Sequence, residues 1–341
     1  MVRWSVLMVP SLLLGCNEQG YVRATGTDVF EQAPVNLVDI LWVMDDSVSM
    51  AQEQANLAAG AQDFVNRLLL TDIDFHMGVI STDVGTDNVD AAALIGNPPV
   101  LDGTMSNYVQ LFQDRVIVGV EGDDQEKGLQ AAVTALTPPM SNTRNAGFLR
   151  DEALLFIVIV SDENDCSDWG ALGPESTGED CYGEYDLLTP VSDLVRSITD
   201  IKGDANRVVL SGIVGPDAVE NCVNAVPGKR YFTAISMLGG FQGNICDTSY
   251  STMMDSLGEI ASGIRDAFAL DDVPDPTTIT VTVRPVDGIE EEVPEDPTAG
   301  WTYNDDPTAP QILFHGTAVP PRGAEITVEY TIAGEIQTSS E

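Results

Sequence analysis

The stretch ILWVMDDSVSM, residues 40–50, joins an apolar run to a turn of acidic and hydroxyl side chains. Side chains two positions apart on an extended backbone point the same way, so Asp45, Ser47 and Ser49 can converge on one point. Carboxylate and hydroxyl oxygens suit hard divalent cations such as Mg²⁺ and Ca²⁺. The pattern therefore predicts a strand that ends in part of a metal-binding site.

The same residues have a second interpretation, because Asp and Ser also cap helices by accepting hydrogen bonds from free backbone N–H groups. A second apolar run, residues 154–160, also ends beside an acidic residue, Asp162. Two strand ends that both carry acids favour a metal site over capping alone.

Apolar runs alternate along the chain with amphipathic helical patterns, and this alternation predicts the fold class. Continuously apolar strands separated by helices are typical of an α/β protein with a mostly parallel central sheet flanked by helices. Ligands bind such sheets beyond the carboxyl ends of the strands, so Asp45 and Asp162 are expected to be neighbours. The predicted strands are 38–44, 75–80, 116–118, 154–160 and 208–214, and the predicted helices are 51–70, 126–136, 187–201 and 250–268.

The charge of the chain excludes one class of partner. Its 341 residues include 54 Asp and Glu against 15 Lys and Arg, a formal net charge of −39. Such a field repels nucleic acid and favours cations. We therefore expect no nucleic-acid partner.

Residues 1–16 resemble a bacterial lipoprotein signal peptide. Arg3 precedes an apolar segment that ends in Leu-Leu-Gly-Cys, so Cys16 would receive a lipid and become the mature N-terminus. The alternative is an ordinary cysteine after a cleaved or retained apolar segment. The signal predicts a lipid-anchored protein of the cell envelope, on the outer membrane of a Gram-negative bacterium and facing periplasm or exterior, with residues 17–36 as a tether.

Four cysteines follow the predicted lipidation site: Cys166, Cys181, Cys222 and Cys246. An even number of cysteines in an exported chain indicates disulfides, and three pairings are possible. The local pairs, 166 with 181 and 222 with 246, are the least demanding. A zinc site is disfavoured because the chain has no CxxC motif and only two histidines, His76 and His315.

The composition changes near residue 273. From there to residue 341, prolines and period-two alternation replace the helical patterns. We therefore expect a small β-rich C-terminal module.

Residues 37–272 resemble the von Willebrand factor A domain, whose motif is DxSxS followed by ligands on two further loops. Asp45, Ser47, Ser49 and Asp162 match this motif. The resemblance implies a Rossmann-like fold and a metal-ion-dependent adhesion site that holds Mg²⁺, with Ca²⁺ or Mn²⁺ as alternatives. The family's second loop usually supplies a threonine, but residues 119–129 contain none, and Asp123 lies nearest the expected position. An acid there equally suits the start of a helix.

The resemblance implies a lipid-anchored adhesion module that is not an enzyme. Its metal would bind a carboxylate on a protein or an acidic glycan. Two alternatives remain open, a structural envelope scaffold with a structural ion and a metal-dependent hydrolase. The hydrolase needs a positioned base, and neither His76 nor His315 lies at a predicted strand end.

Overall fold

The computed structural model describes residues 21–32, 37–69, 73–84, 91–122, 125–173, 176–217, 222, 225–262, 266–305, 310–321 and 323–338. The strands are β1 (Tyr21–Glu31), β2 (Leu37–Met44), β3 (Asp74–Ser81), β4 (Leu101–Asp102), β5 (Leu154–Ser161), β6 (Val208–Val214), β7 (Gln242–Asn244), β8 (Ala267–Ala269), β9 (Thr280–Arg284), β10 (Glu291–Val293), β11 (Trp301–Asn304), β12 (Gln311–Phe314) and β13 (Glu325–Thr338). The α-helices are α1 (Ala51–Leu69), α2 (Tyr108–Val116), α3 (Gly128–Leu136), α4 (Gly178–Gly183), α5 (Val191–Lys202), α6 (Lys229–Leu238) and α7 (Ser251–Ala261).

A six-stranded sheet with the order β4-β3-β2-β5-β6-β7 forms the centre of the helical part. Its strands run parallel except β4, which is antiparallel to β3. Every residue of β5 is buried, as expected for a strand covered on both faces. Met44 of β2 lies opposite Val160 of β5, so Asp45 and Asp162 follow two adjacent strand ends.

Helices cover both faces of this sheet, and the alternating side chains of β2 divide between them. Trp42 packs into one apolar cluster with side chains of α1, α2 and α7, and its ring centroid lies 5.1 Å from that of Phe64. Leu41 and Val43 pack into the opposite cluster with α3, α5 and α6. Burial on both faces fixes the register of β2 and hence the position of the turn that follows it.

Two antiparallel sheets with the orders β1-β13-β9-β10 and β11-β12-β8 form a second β unit. A separate apolar cluster, which includes Phe268, Trp301, Phe314 and Ile326, unites strands from both sheets. β1 pairs with β13 from Tyr21 opposite Thr338 to Glu31 opposite Glu325. The first and last strands of the described chain are therefore neighbours in one sheet.

The predicted fold class, a mostly parallel Rossmann-like sheet with a small C-terminal β module, is wrong for the chain as a whole. Among the ten strand pairs of the described residues, six are antiparallel and four are parallel. The chain is a mixed α/β protein. The prediction failed because it did not include β1, β4 and β8, and each of these strands makes an antiparallel pair.

The predicted tether, residues 17–36, contains β1 and is a correction as well. The strand was missed because its polar residues and its glycine give no apolar strand pattern, and its pairing with β13 is not visible in the sequence. The run at 116–118 is also not a strand, since Val116 ends α2. The signal segment 1–16, with Cys16, lies outside the described residues, and within the described ranges no helix is both long and apolar enough to cross a membrane.

The predicted disulfides are confirmed, and both are the local pairs. Cys166 pairs with Cys181 with their Cα atoms 5.7 Å apart, and Cys222 pairs with Cys246 at 5.5 Å. The first bridge closes the loop that follows Asp162 at the carboxyl end of β5.

Candidate functional site

Asp45 is fully buried in the turn after β2, and its carboxylate is fixed by two donors. The backbone N–H of Ser47 donates to Oδ1 at 2.8 Å, and the Ser161 hydroxyl donates to Oδ2 at 2.6 Å. The Gln54 side-chain amide donates to the Asp45 carbonyl at 2.9 Å and to the Gly119 carbonyl at 2.8 Å. The turn is thereby held to both the helix and the neighbouring loop.

Two hydroxyl groups connect this turn to the end of β5. The Oγ atoms of Ser47 and Ser49 are 3.2 Å apart, and the Ser49 hydroxyl donates to Asp162 Oδ1 at 3.2 Å. Asp162 is 3% exposed, whereas Ser49 is exposed to solvent. The four predicted residues are therefore linked by hydrogen bonds, through the backbone N–H of Ser47 and the two hydroxyl groups, and this set opens to solvent at Ser49.

A further buried carboxyl group at this end of the sheet belongs to Glu126, which lies just before α3 and is 1% exposed. The Thr82 hydroxyl donates to its Oε2, while Oε1 is buried without a hydrogen-bond partner in the described structure. Its carbonyl accepts a hydrogen bond from the backbone N–H of Cys166 at 2.7 Å. Glu126 is thus held between the end of β3 and the disulfide loop.

Two more carboxyl groups of the same turn and helix have buried oxygens without a partner. These are Oδ1 of Asp46 and Oε2 of Glu53. Buried carboxylate oxygens without a donor are unfavourable unless a cation or ordered water satisfies them.

Four acids at this end of the sheet, Asp45, Asp46, Asp162 and Glu126, have raised pKa values. Burial is the main cause in each case, and it raises the pKa of Asp162 to about 7 and that of Asp46 to about 6. Burial also raises the pKa of Asp45, and it raises that of Glu126 well above its usual value. The negative charge of Asp45 adds to the shift of Asp162, of Asp46 and of Glu126. Mutual repulsion of this kind disappears when a cation binds between the groups.

Two basic side chains, Arg230 and Lys127, pair with other acids. Arg230 pairs with Asp165 at 3.0 Å, and Lys127 pairs with Asp168 at 2.8 Å. No ion pair in the part of the chain that the structure describes joins Asp45, Asp162 or Glu126 to a basic residue. The site is therefore an uncompensated negative centre.

The histidines do not belong to this site. His76 lies near the start of β3, where its Nδ1 is 2.8 Å from the Phe148 carbonyl oxygen. His315 belongs to the second β unit, and its Nε2 is 2.8 Å from the Thr302 hydroxyl.

The sequence located four of the residues that the structure brings together, Asp45, Ser47, Ser49 and Asp162. Asp123 lies outside the described residues. Glu126, Thr82 and Ser161 were missed. Thr82 and Ser161 stand at the ends of β3 and β5, so a search of every strand end for hydroxyl and acidic residues finds them.

The donor set suits a hard divalent cation, since it consists of carboxylate and hydroxyl oxygens without nitrogen or sulfur. Among the described residues, no group of three or more His, Cys, Asp and Glu side chains is arranged to hold a metal ion. Any cation at this place would therefore depend on the two serine hydroxyls as well as on the acids.

No family model and no curated relative matches the chain. Several solved structures resemble it distantly. The pilus adhesin SpaC from Lactobacillus rhamnosus GG, in its open conformation, has 10% identity and a TM-score of 0.40, over 91% of this chain and 42% of that one. The adhesive tip pilin GBS104 from Group B Streptococcus agalactiae has 11% identity and a TM-score of 0.35, over 94% and 83%.

A third structure is proximal thread matrix protein 1 from the mussel byssus, with 11% identity and a TM-score of 0.38 over 72% of this chain and 52% of that one. The chain thus spans less than half the length of the SpaC structure.

The assignment to the von Willebrand factor A family is corrected by these findings. No family model matches the chain. The sheets are mixed and antiparallel, and the described residues hold no acid, histidine or cysteine group of metal-binding type. The ligand geometry that this family implied therefore cannot be carried over, and the site has to be judged on its own residues.

Proposed function

We propose that this protein is an adhesion-type binding module of the cell surface that contacts its partner through a divalent cation. Asp45, Ser47, Ser49 and Asp162 would hold the ion. One observation carries the proposal: these acids are buried beside two hydroxyl groups and, among the residues that the structure describes, have no basic partner. A divalent cation supplies the positive charge that this arrangement lacks.

Asp45 and Ser49 would have different roles at the site: one is held rigidly and the other is accessible to solvent. Asp45 is buried and fixed by two donors, so it would anchor the ion, while the exposed Ser49 lies where solvent and a partner reach the site. A bound cation with an open coordination position attracts an oxygen of another molecule. A carboxylate on a protein or an acidic glycan is the proposed ligand, and Mg²⁺ is the proposed ion, with Ca²⁺ or Mn²⁺ as alternatives.

Val48 supports a contact surface at this place. It stands between the two serines, and its side chain is 78% exposed. An exposed apolar side chain beside a charged centre provides contact area for a partner without competing for the ion.

We also propose that lipid on Cys16 anchors the module to a membrane of the cell envelope, on the outer membrane side. The Leu-Leu-Gly-Cys sequence supports this. Mass spectrometry of the protein purified from its native membrane tests it, since a diacylglyceryl-modified N-terminal peptide beginning at Cys16 is expected.

Calorimetric titration tests the cation site. Mg²⁺, Ca²⁺ and Mn²⁺ are titrated into chelator-stripped protein beginning at residue 20, beside Asp45→Ala and Asp162→Ala. Asp200→Ala, which removes an exposed acid at the far end of α5, is the charge-matched control. Saturable binding that both site variants lose and the control retains supports the proposal. Equal heats from all four proteins would mean diffuse binding to an acidic surface.

A further inference from the structure

Glu126 has one carboxylate oxygen that the fold itself does not satisfy. The residue is 1% exposed, and the Thr82 hydroxyl donates to Oε2, while Oε1 is buried and has no hydrogen-bond partner among the residues that the structure describes. The neighbouring Lys127 is engaged with Asp168, at 2.8 Å. Because a buried carboxylate oxygen without a donor is unfavourable, this atom points to an ion or an ordered water that satisfies it.

Hydrogen bonds place this carboxylate beside the turn that carries Asp45. Thr82 directly follows β3, and its backbone N–H donates at 3.0 Å to the carbonyl of Met44, the residue before Asp45. The Glu126 and Asp45 carboxyl groups lie within hydrogen-bonding reach of each other. Two ionised carboxylates cannot donate to one another, so this contact leaves Oε1 unsatisfied. The Glu126 carbonyl accepts from the Cys166 N–H at 2.7 Å, so backbone and side chain are both fixed.

The arrangement of the acids decides how Glu126 can contact a cation. Within the described ranges, no three acids, histidines or cysteines are placed to hold a metal ion together, so Glu126 is not a third direct acidic ligand beside Asp45 and Asp162. A water molecule on the ion can connect them, since it donates hydrogen bonds and Oε1 needs a donor. Mg²⁺ keeps several waters in protein sites, whereas Ca²⁺ takes more protein oxygens in looser geometry. A contact through water therefore favours Mg²⁺.

Resting on the proposed function, we propose that Glu126 is a positioning residue of the cation site: its Oε1 accepts a hydrogen bond from a water on the ion, and this contact selects Mg²⁺ over Ca²⁺. Groups that hold a metal's ligands in this way typically contribute about 10–100-fold to metal affinity. Thr82 supports the role, because its hydroxyl fixes which oxygen of Glu126 faces the site.

Glu126→Gln tests the role directly. The Gln carbonyl can take the Thr82 hydrogen bond, and the amide NH₂ group then stands in place of Oε1, where an acceptor is needed. Mg²⁺ and Ca²⁺ are titrated by calorimetry into chelator-stripped protein. We expect Mg²⁺ affinity to fall by about 10–100-fold and Ca²⁺ affinity to fall less. A role in the fold alone would leave both affinities unchanged, and that result would overturn the proposal.

Glu163→Gln is the matched control for charge. Glu163 lies near enough for its charge to act on Glu126, but its Oε2 accepts a hydrogen bond from the Tyr182 hydroxyl at 3.2 Å. The ratio of Mg²⁺ to Ca²⁺ affinity is expected to stay unchanged in this variant. Equal losses for the two ions in Glu126→Gln, or the same change of ratio in Glu163→Gln, would reduce Glu126 to a background charge and overturn the proposal.

Asp45→Ala separates the failure of this inference from that of the proposed function. If the unaltered protein binds Mg²⁺, Asp45→Ala does not, and Glu126→Gln keeps full affinity and the same ion preference, the cation site stands and the role of Glu126 falls. If the unaltered protein binds neither ion saturably, both fall.

Discussion

Ser49 and Asp162 are 113 positions apart in the sequence, yet the Ser49 hydroxyl donates a 3.2 Å hydrogen bond to the Asp162 carboxylate. The parallel pairing of β2 with β5 brings them together, since it sets the turn after one strand beside the end of the other. This contact joins an exposed hydroxyl to a buried acid. Substitutions at this contact therefore test the proposed function.

Replacing Ser49 with Ala removes a proposed ligand while leaving the fold intact. Because Ser49 is exposed, we expect the free energy of unfolding to change by no more than about 1 kcal/mol. Cation affinity is expected to fall by about tenfold or more. Calorimetry checks the affinity, with Ser49→Thr, which keeps the hydroxyl, as the matched variant. Unchanged affinity in Ser49→Ala would remove this residue from the site.

The stability of the cation-free protein should fall as the pH rises. Burial raises the pKa of Asp46 to about 6 and that of Asp162 to about 7, so the folded protein holds these protons more tightly than the unfolded chain. The resulting stability is fully present below about pH 3.8, the ordinary pKa of Asp, and is lost as the pH rises through 6 and 7. Denaturant unfolding in EDTA between pH 5 and pH 8 is expected to show a loss of about 4 kcal/mol at most, since one pKa unit corresponds to about 1.4 kcal/mol and solvent screening reduces the effect.

The general repulsion within a chain of net charge −39 acts in the same direction. Asp162→Asn isolates the contribution of Asp162, because it removes that titrating group while Asp46 remains, and it is expected to reduce the loss of stability between pH 5 and pH 8. A pH dependence identical to that of the unaltered protein would show that Asp162 does not contribute to the loss.

Glu126→Gln should stabilise the protein in the absence of cation. The substitution keeps an oxygen that can accept the Thr82 hydrogen bond and removes a buried carboxyl group whose ionised form is unfavourable because of burial and the charge of Asp45. We expect the melting temperature in EDTA to rise by a few degrees, by the relation of about 2–4 °C per kcal/mol in domains of this size. Scanning calorimetry measures it, and a lower melting temperature would show that the ionised carboxylate supports the fold by itself.

The opposite end of the central sheet offers a matched control for stability. Asp39 is fully buried in β2, accepts hydrogen bonds from the Arg150 Nε at 2.8 Å and backbone N–H at 2.7 Å, and lies 3.6 Å from Lys202 Nζ. Asp39→Ala removes the acid beside the buried Lys202 and one of the two acids that pair with Arg150, at a cost of about 3–5 kcal/mol. Urea unfolding should show this loss, while cation affinity measured below the unfolding range should not change. A parallel loss of cation affinity would mean that the two ends of the sheet are coupled.

The sequence predicted the central strands well because they are buried on both faces. Residues 208–214 were predicted as a strand and form β6, and residues 154–160 are all but the last residue of β5. The helix predicted for 51–70 is observed as Ala51–Leu69. Continuous apolar runs and helical periodicity are local signals, so they can be recognised without knowing which strands and helices pack together.

The antiparallel sheets could not be found in this way. β1 is ordered by its pairing with β13, about three hundred residues later. Its apolar residues do not all face the core, since Val29 is 59% exposed. The sequence of the strand therefore shows no clear apolar face. The helix predicted for 250–268 fails at its end for a similar reason. α7 ends at Ala261, and Phe268 belongs to β8, where it pairs with Ile312 in the second β unit.

Only part of the candidate site could be predicted from the sequence. Asp45, Ser47 and Ser49 lie on one turn, so their spacing is visible in the sequence. Glu126 and Thr82 come from two separate loops, and only the sheet order brings them to the same end. The family resemblance implies a threonine within 119–129. That expectation does not point to Glu126, the acid in the same segment that the structure buries near Asp45.

The central claim is that Asp45, Ser47, Ser49 and Asp162 hold a divalent cation, and the most direct measurement is anomalous diffraction from crystals grown with Mn²⁺. The account predicts one strong anomalous peak within coordination distance of oxygens from these four residues, and no such peak in crystals of Asp45→Ala. Well-ordered Mn²⁺ bound only at exposed surface acids, with none between Asp45 and Asp162, would contradict it.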